Sequence, residues 1–178
     1  MSHSRSSLRA RFAAGAAIAG LSAAAILFTP LLSQTRSARP IVMDGHVHVM
    51  SRQLLEGLDI GQRSPDGHID LPRAIEGGVQ AMFFTVYTPE PYYPARHEVK
   101  NTFRVVELAL EQIEKNRDRI ELALDAASIE RIVAGGKVAA FLDLEGAYDL
   151  DGDLLLLRAL HRLGLRSMQL TAHNYTNN

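Results

Sequence analysis

The chain has 178 residues, of which 47% are apolar and 22% are charged, and its formal net charge is −1. This composition is typical of a soluble globular domain, and the near-neutral balance gives no electrostatic basis for binding nucleic acid. There is no cysteine, which excludes disulfide frameworks, thiolate metal sites and cysteine nucleophiles.

The N-terminal segment differs in composition from the rest of the chain. Arg5, Arg9 and Arg11 precede an Ala-rich apolar stretch at residues 12–32. A basic segment followed by an apolar one is typical of an export signal, and this stretch is long enough to span a bilayer. We therefore predict that residues 1–38 form a hydrophobic helix that serves as a signal peptide or, if uncleaved, a membrane anchor. The protein is then expected to be exported, as a periplasmic, extracellular or membrane-anchored protein. A buried Ala-rich helix is the alternative.

From residue 39 onward, apolar strand-like runs alternate with amphipathic helical patterns. Asp70 is the candidate N-cap of the first helix and Ser128 that of the third. Continuous apolar strands that alternate with helices predict a parallel sheet covered by helices. The predicted strands are residues 41–49, 79–87, 120–124, 138–144 and 166–171, and the predicted helices are residues 71–77, 99–115, 128–134 and 154–163.

Two α/β architectures fit this order of elements, a doubly wound sheet and a (β/α) barrel. Neither a G-x-G-x-x-G sequence nor a P-loop follows any predicted strand, so a nucleotide-binding sheet gains no support. A barrel builds its active site from the carboxyl ends of several strands, which is where this chain carries its polar residues. We predict a partial (β/α)8 TIM-like barrel. A complete barrel takes about 250 residues, so residues 39–178 are expected to form about its first half and the sequence to be a partial one.

The ends of three predicted strands carry side chains that can bind metal. His46 and His48 close the first strand two residues apart, which places them on one face. Glu145 closes the fourth strand, and His173 follows the fifth. A histidine pair can hold a divalent cation, a carboxylate can bridge two such cations, and a further histidine can donate to a developing oxyanion. The sequence therefore predicts a metal site at one rim of the sheet.

Each of these residues also has a simpler interpretation. The two strand-end histidines could be solvent-exposed, Glu145 could cap the next loop or pair with an arginine, and His173 could be an ordinary loop histidine. Asp44 could orient a ligand histidine or end a turn. Asp143 is assigned to the face opposite Glu145, with a structural or supporting role. The histidines expected to be ordinary surface residues are His68, His97 and His161.

Four stretches of the chain, taken together and in this order, resemble the motifs of a known family. They are DGHVH at residues 44–48, EGGVQAMFF at 76–84, LDLEG at 142–146 and LGLRSMQLTAHN at 163–174. In these stretches the chain resembles the membrane dipeptidase family of metallopeptidases, within the amidohydrolase superfamily. The resemblance implies a distorted (β/α) barrel that binds two zinc ions.

The resemblance also implies roles for individual residues. His46 and His48 fall on the first metal-binding pair, although many members have aspartate at the second position, so His48 changes the charge of the ligand set. Glu145 falls on the metal-bridging glutamate. His173 falls near the histidine that polarises the scissile carbonyl, with Ala172 inserted before it.

The implied function is hydrolysis of dipeptides or similar small amides at a binuclear zinc site, with catalytic roles for Glu145 and His173. The family needs further ligands, a substrate-binding arginine and a catalytic aspartate from later strands, so this chain is expected to be inactive alone. One alternative is another amidohydrolase-type enzyme, such as a deacylase or a lactonase. A second alternative is a non-catalytic binding protein. The sequence indicates neither the oligomeric state nor a nucleic-acid partner.

Overall fold

The computed structural model of the protein describes residues 40–50, 56–88, 98–150 and 152–171. The described helices and strands all lie in one unit, residues 41–178. The predicted N-terminal hydrophobic helix falls outside the described residues, so it remains a prediction. Within the described ranges, the helices are all too short or too polar to cross a membrane.

All five predicted strands and all four predicted helices are present, with ends close to those expected. A short 3-10 helix, Ala147–Leu150, follows the fourth strand. The strands are β1 (Met43–Val47), β2 (Ala81–Val86), β3 (Ile120–Leu122), β4 (Val138–Glu145) and β5 (Leu165–Gln169), and the helices are α1 (Leu71–Glu76), α2 (Glu98–Lys115), α3 (Ala126–Ala134) and α4 (Leu154–Leu163).

Aspartate side chains cap the first turns of three helices. The Asp70 carboxylate accepts from the backbone N–H of Arg73 in α1, as predicted, and Asp153 caps α4 in the same way. The prediction that Ser128 caps α3 was wrong, because Asp125 is the cap and Ser128 is the third residue of the helix. The Ser128 hydroxyl accepts from the backbone N–H of Asp125 at 3.0 Å, which completes a reciprocal capping box.

Replacement of the buried cap Asp70 is expected to change the pH dependence of stability. Burial raises its pKa, but hydrogen bonds from the backbone N–H groups of Arg73 and Ser64, together with the Arg73 guanidinium, hold that pKa below its usual range. A lowered folded-state pKa stabilises the fold above the ordinary aspartate pKa of about 3.9. This stabilisation is lost as the pH falls through the lowered value.

Asp70→Asn keeps an oxygen that can cap α1 but removes the charge, whereas Asp70→Ala also removes the cap, at a cost of about 1 kcal/mol. We expect the free energy of unfolding to be lower in Asp70→Asn than in the natural chain at neutral pH, and the difference to shrink at about pH 3. Urea unfolding at the two pH values measures this difference. A difference that stays constant with pH would contradict a lowered pKa for Asp70 in the folded chain.

The five strands form one parallel sheet. β1 pairs with β2 and β2 pairs directly with β4, with Thr85 opposite Asp143. The other edge of β4 is shared, because β3 pairs with its first residues and β5 with its last, where Gln169 lies opposite Glu145. A regular barrel pairs consecutive strands. The parallel sheet with covering helices is thus as predicted, but β3 does not lie between β2 and β4.

The two faces of the sheet carry different side chains. β4 is buried along its whole length, which is typical of a parallel strand covered on both faces. Leu142 and Leu144 belong to the larger apolar cluster, to which α1, α2 and α4 contribute. Phe141 belongs to a smaller cluster with residues of α3. Because successive strand residues alternate between faces, Asp143 and Glu145 share the face of Phe141, towards the carboxyl ends of the strands.

Candidate metal centre

Two histidines converge at the carboxyl end of β1. His46 is the penultimate residue of the strand, and His48 follows the strand end. Their Nε2 atoms are 3.0 Å apart, and the ring centroids are 4.8 Å apart. The side chains are 41% and 44% exposed, so both can be reached from solvent. The predicted convergence of the pair is confirmed.

Glu145 brings a carboxylate to the same point from the end of β4. Its Oε2 atom is 3.3 Å from Nε2 of His46 and 3.1 Å from Nε2 of His48. Glu145 is only 8% exposed, whereas the histidines face solvent. Because β2 lies between β1 and β4, the three residues meet only through the tertiary fold.

The separations between these three atoms match the corners of a tetrahedral metal site. Zinc binds imidazole nitrogen and carboxylate oxygen at about 2.0–2.2 Å, which places neighbouring tetrahedral ligand atoms about 3.3 Å apart. The observed separations are 3.0, 3.1 and 3.3 Å. Among the residues that the structure describes, this is the group of three that could hold a metal ion. The donor set and its spacing therefore fit a zinc ion.

A second carboxylate, that of Asp143, lies against the other side of the His46 ring. Its Oδ2 atom is 3.5 Å from Nδ1 of His46, and the residue is 5% exposed. The prediction that Asp143 points away from Glu145 was wrong, because strand residues two positions apart share a face. The His46 ring thus lies between two carboxylates, with Asp143 at Nδ1 and Glu145 at Nε2.

Asp44 acts on the backbone of the site. Its Oδ1 atom accepts a hydrogen bond from the backbone N–H of His46 at 3.2 Å. Of the two interpretations, orientation of a ligand ring and formation of a turn, this contact favours the local backbone turn. Asp143, and not Asp44, is the carboxylate beside Nδ1 of the ring.

Two residues near the site were not singled out by the sequence patterns. The Tyr87 ring meets the His48 ring edge to face, with centroids 5.8 Å apart and an interplanar angle of 89°. Gln169, opposite Glu145 in the strand register, accepts a hydrogen bond through its backbone oxygen from Gly146 N–H at 3.1 Å. Both residues lie at the carboxyl ends of strands, and that position is the signal that could have identified them.

The remaining predicted residues are placed as follows. His173 lies outside the described residues, so its role stays a prediction. His68 and His161 are exposed, as expected. His97 also falls outside the described ranges.

Dipeptidases are among the known proteins that have similar sequences or folds. The chain is 35% identical over 118 residues to the dipeptidase tcpJ of Claviceps purpurea, a match that covers 62% of this chain and 28% of that protein. A metallopeptidase from Rhodobacter sphaeroides, solved with a phosphinate mimic of the dipeptide L-Ala-D-Ala, aligns with a TM-score of 0.70 and 27% identity. That alignment covers 76% of this chain and 46% of the other.

A second solved structure, the dipeptidase AC of metallopeptidase family M19, aligns with a TM-score of 0.68 and 29% identity over 75% of this chain and 43% of that chain. The chain therefore spans less than half the length of these relatives. The sequence profile of the membrane dipeptidases (Peptidase family M19) matches residues 34–178. Because this match covers most of the chain, and the aligned folds are those of M19 enzymes, the chain belongs to the membrane dipeptidase family.

Proposed function

We propose that the enzyme containing residues 41–178 is a zinc-dependent dipeptidase, and that these residues supply part of a binuclear zinc site. The observation that carries the proposal is the convergence of two imidazole nitrogens and one carboxylate oxygen within 3.3 Å of one another. Membership of the dipeptidase family supports the reaction class. The dipeptide mimic bound by the Rhodobacter sphaeroides relative supports a dipeptide as substrate.

The residues of the site have distinct roles in this proposal. His46 and His48 would hold one zinc ion, and the carboxylate of Glu145 would be shared between that ion and a second one. A zinc ion held there would supply Lewis acidity towards the scissile carbonyl and towards water. His173 donates a hydrogen bond to the oxygen of that carbonyl as negative charge develops on it.

His48 has a consequence for the charge of the site. Because His48 is an imidazole and not a carboxylate, Glu145 supplies the one carboxylate of the ligand group that the structure describes. The attraction between the ligands and a divalent cation therefore depends strongly on Glu145. His48→Asp would restore the more common residue of the family and is expected to strengthen zinc binding.

Calorimetric titration of the 178-residue chain with zinc tests the site directly. We expect saturable binding in a simple stoichiometric ratio, weakened by His46→Ala and unchanged by His161→Ala, since His161 is an exposed histidine of α4. Hydrogen bonds alone could also join the three atoms, and they require no metal. An absence of saturable zinc binding in the natural chain would therefore overturn the metal site.

Release of D-alanine from L-Ala-D-Ala tests the reaction in the enzyme that contains these residues. We expect zinc-dependent hydrolysis that a chelator removes and added zinc restores. Preferred hydrolysis of an N-acyl amino acid or a lactone would favour a deacylase or lactonase instead. Zinc binding without hydrolysis of any of these compounds would favour a binding protein.

We further propose that residues 1–38 direct export. The basis is the cluster of arginines before the long apolar stretch at residues 12–32. A reporter enzyme fused after Pro40 is expected outside the cytoplasm, either free or membrane-bound. A reporter that stays in the cytosol would contradict this proposal.

A further inference from the structure

The two ring nitrogens of His46 have different neighbours. Nε2 faces Nε2 of His48 at 3.0 Å and Oε2 of Glu145 at 3.3 Å, whereas Nδ1 faces Oδ2 of Asp143 at 3.5 Å. A neutral imidazole carries its proton on one nitrogen and its free lone pair on the other. Nε2 can therefore bind a metal only when the proton of the neutral ring resides on Nδ1.

We propose that Asp143 is a positioning residue that keeps the proton of neutral His46 on Nδ1 and so turns the Nε2 lone pair towards Glu145 and His48. The proposal deepens the proposed function and rests on the metal site described there. Asp143 is 5% exposed, and a buried carboxylate is stabilised by a neighbouring N–H group. Such a carboxylate beside a ligand histidine fixes both the tautomer and the orientation of the ring.

The separation of 3.5 Å is longer than a normal N–H···O hydrogen bond of about 2.9–3.0 Å. At this distance the carboxylate acts on the ring proton through its charge, in a partly buried position where screening by water is reduced. A contact shorter by about 0.5 Å would have the length of a hydrogen bond.

The surroundings of the other site residues make this role specific to Asp143 and His46. The Asp44 carboxylate also contacts His46, but it accepts from the backbone N–H and not from the ring. The His48 ring makes an edge-to-face contact with the Tyr87 ring. Loss of Asp143 is thus expected to act first on the tautomer of His46, and on that of His48 only through the contact between the two Nε2 atoms.

Nuclear magnetic resonance of the 178-residue chain with 15N-labelled histidine tests the proposal without any metal. Long-range 1H–15N correlations in a mildly alkaline buffer report which ring nitrogen carries the proton. We expect Nδ1–H at His46 in the natural chain and loss of this preference in Asp143→Leu. Asp143→Asn keeps an oxygen that can accept from Nδ1–H but loses the charge, so it is expected to keep the preference in weakened form.

Zinc titration of the same variants gives the second readout. We expect Asp143→Leu to weaken zinc binding about 10–100-fold, the usual effect of removing a partner of a ligand histidine, and Asp143→Asn to weaken it by a smaller factor. Asp44→Asn is the matched control, since its amide oxygen can still accept from the backbone of His46. We expect it to change neither the tautomer nor the zinc affinity.

The outcomes separate this proposal from the metal site itself. Nε2–H at His46 in the metal-free natural chain, or an unchanged tautomer in Asp143→Leu, overturns the role of Asp143 even when zinc binds. The expected tautomers without any zinc binding support the role of Asp143 and overturn the metal site. If Asp143→Leu fails to fold, the natural chain and Asp143→Asn still test the proposal, because Nδ1–H at His46 is expected in both.

Discussion

Glu145→Gln is expected to abolish stoichiometric zinc binding by the chain and, in the enzyme that contains it, turnover of dipeptides. The substitution keeps the size of the side chain but replaces a charged oxygen, 3.1 and 3.3 Å from the two imidazole nitrogens, with a neutral amide. With His48 at the neighbouring ligand position, no other carboxylate of the described ligand group compensates for the lost charge. The loss of zinc affinity should exceed the roughly 10–100-fold loss that follows removal of a residue that contacts a ligand histidine but not the metal.

The matched control for this change is Glu121→Gln. Glu121 lies in β3, where its carboxylate pairs with Arg131 at 2.6 Å and with Lys137 at 3.4 Å. Salt bridges near the surface contribute about 0–1 kcal/mol, so a small loss of stability and unchanged zinc binding are expected. Elemental analysis after dialysis measures bound zinc in both variants. Full zinc content in Glu145→Gln would remove Glu145 from the site and leave the proposed function without its main support.

The positions of the secondary-structure elements could be predicted from local signals. The central strands β2 and β4 are mostly apolar and buried, and the helices carry aspartate caps or glycine ends that are visible in the sequence. The placement of His46 and Glu145 at one rim followed from a general property of parallel sheets, in which carboxyl ends meet at one edge. These parts of the prediction needed no knowledge of long-range contacts.

The order of strands and the finer geometry of the site could not be predicted in this way. Pairing of β2 with β4, and not with β3, depends on contacts between residues distant in sequence, which periodicity does not reveal. The contact of Tyr87 with His48 depends likewise on the pairing of β1 with β2. The position of Asp143 could have been predicted, because its face follows from the two-residue period of a strand. Its assignment to the opposite face was an error in applying that period, and a correct count would have placed it beside Glu145.

Phe84→Ala is expected to cause the largest loss of stability among core substitutions in β2. Phe84 is fully buried and lies in the larger apolar cluster, where helices pack against the sheet. Truncation of a buried phenylalanine to alanine removes apolar contacts and leaves a cavity, which costs about 3–5 kcal/mol. Since the free energy of unfolding of a small domain is about 5–15 kcal/mol, this loss is a large part of the total. Urea unfolding followed by circular dichroism measures it.

Phe83 provides a control of the same residue type in the same strand. It is half-buried on the opposite face, where its ring stacks on Phe141 with centroids 4.8 Å apart. Loss of a half-buried ring is expected to cost less, about 1–2 kcal/mol. The two variants therefore compare the faces of one strand at adjacent positions. Equal losses in Phe83→Ala and Phe84→Ala would contradict the assignment of the main core to the face of β2 that carries Phe84.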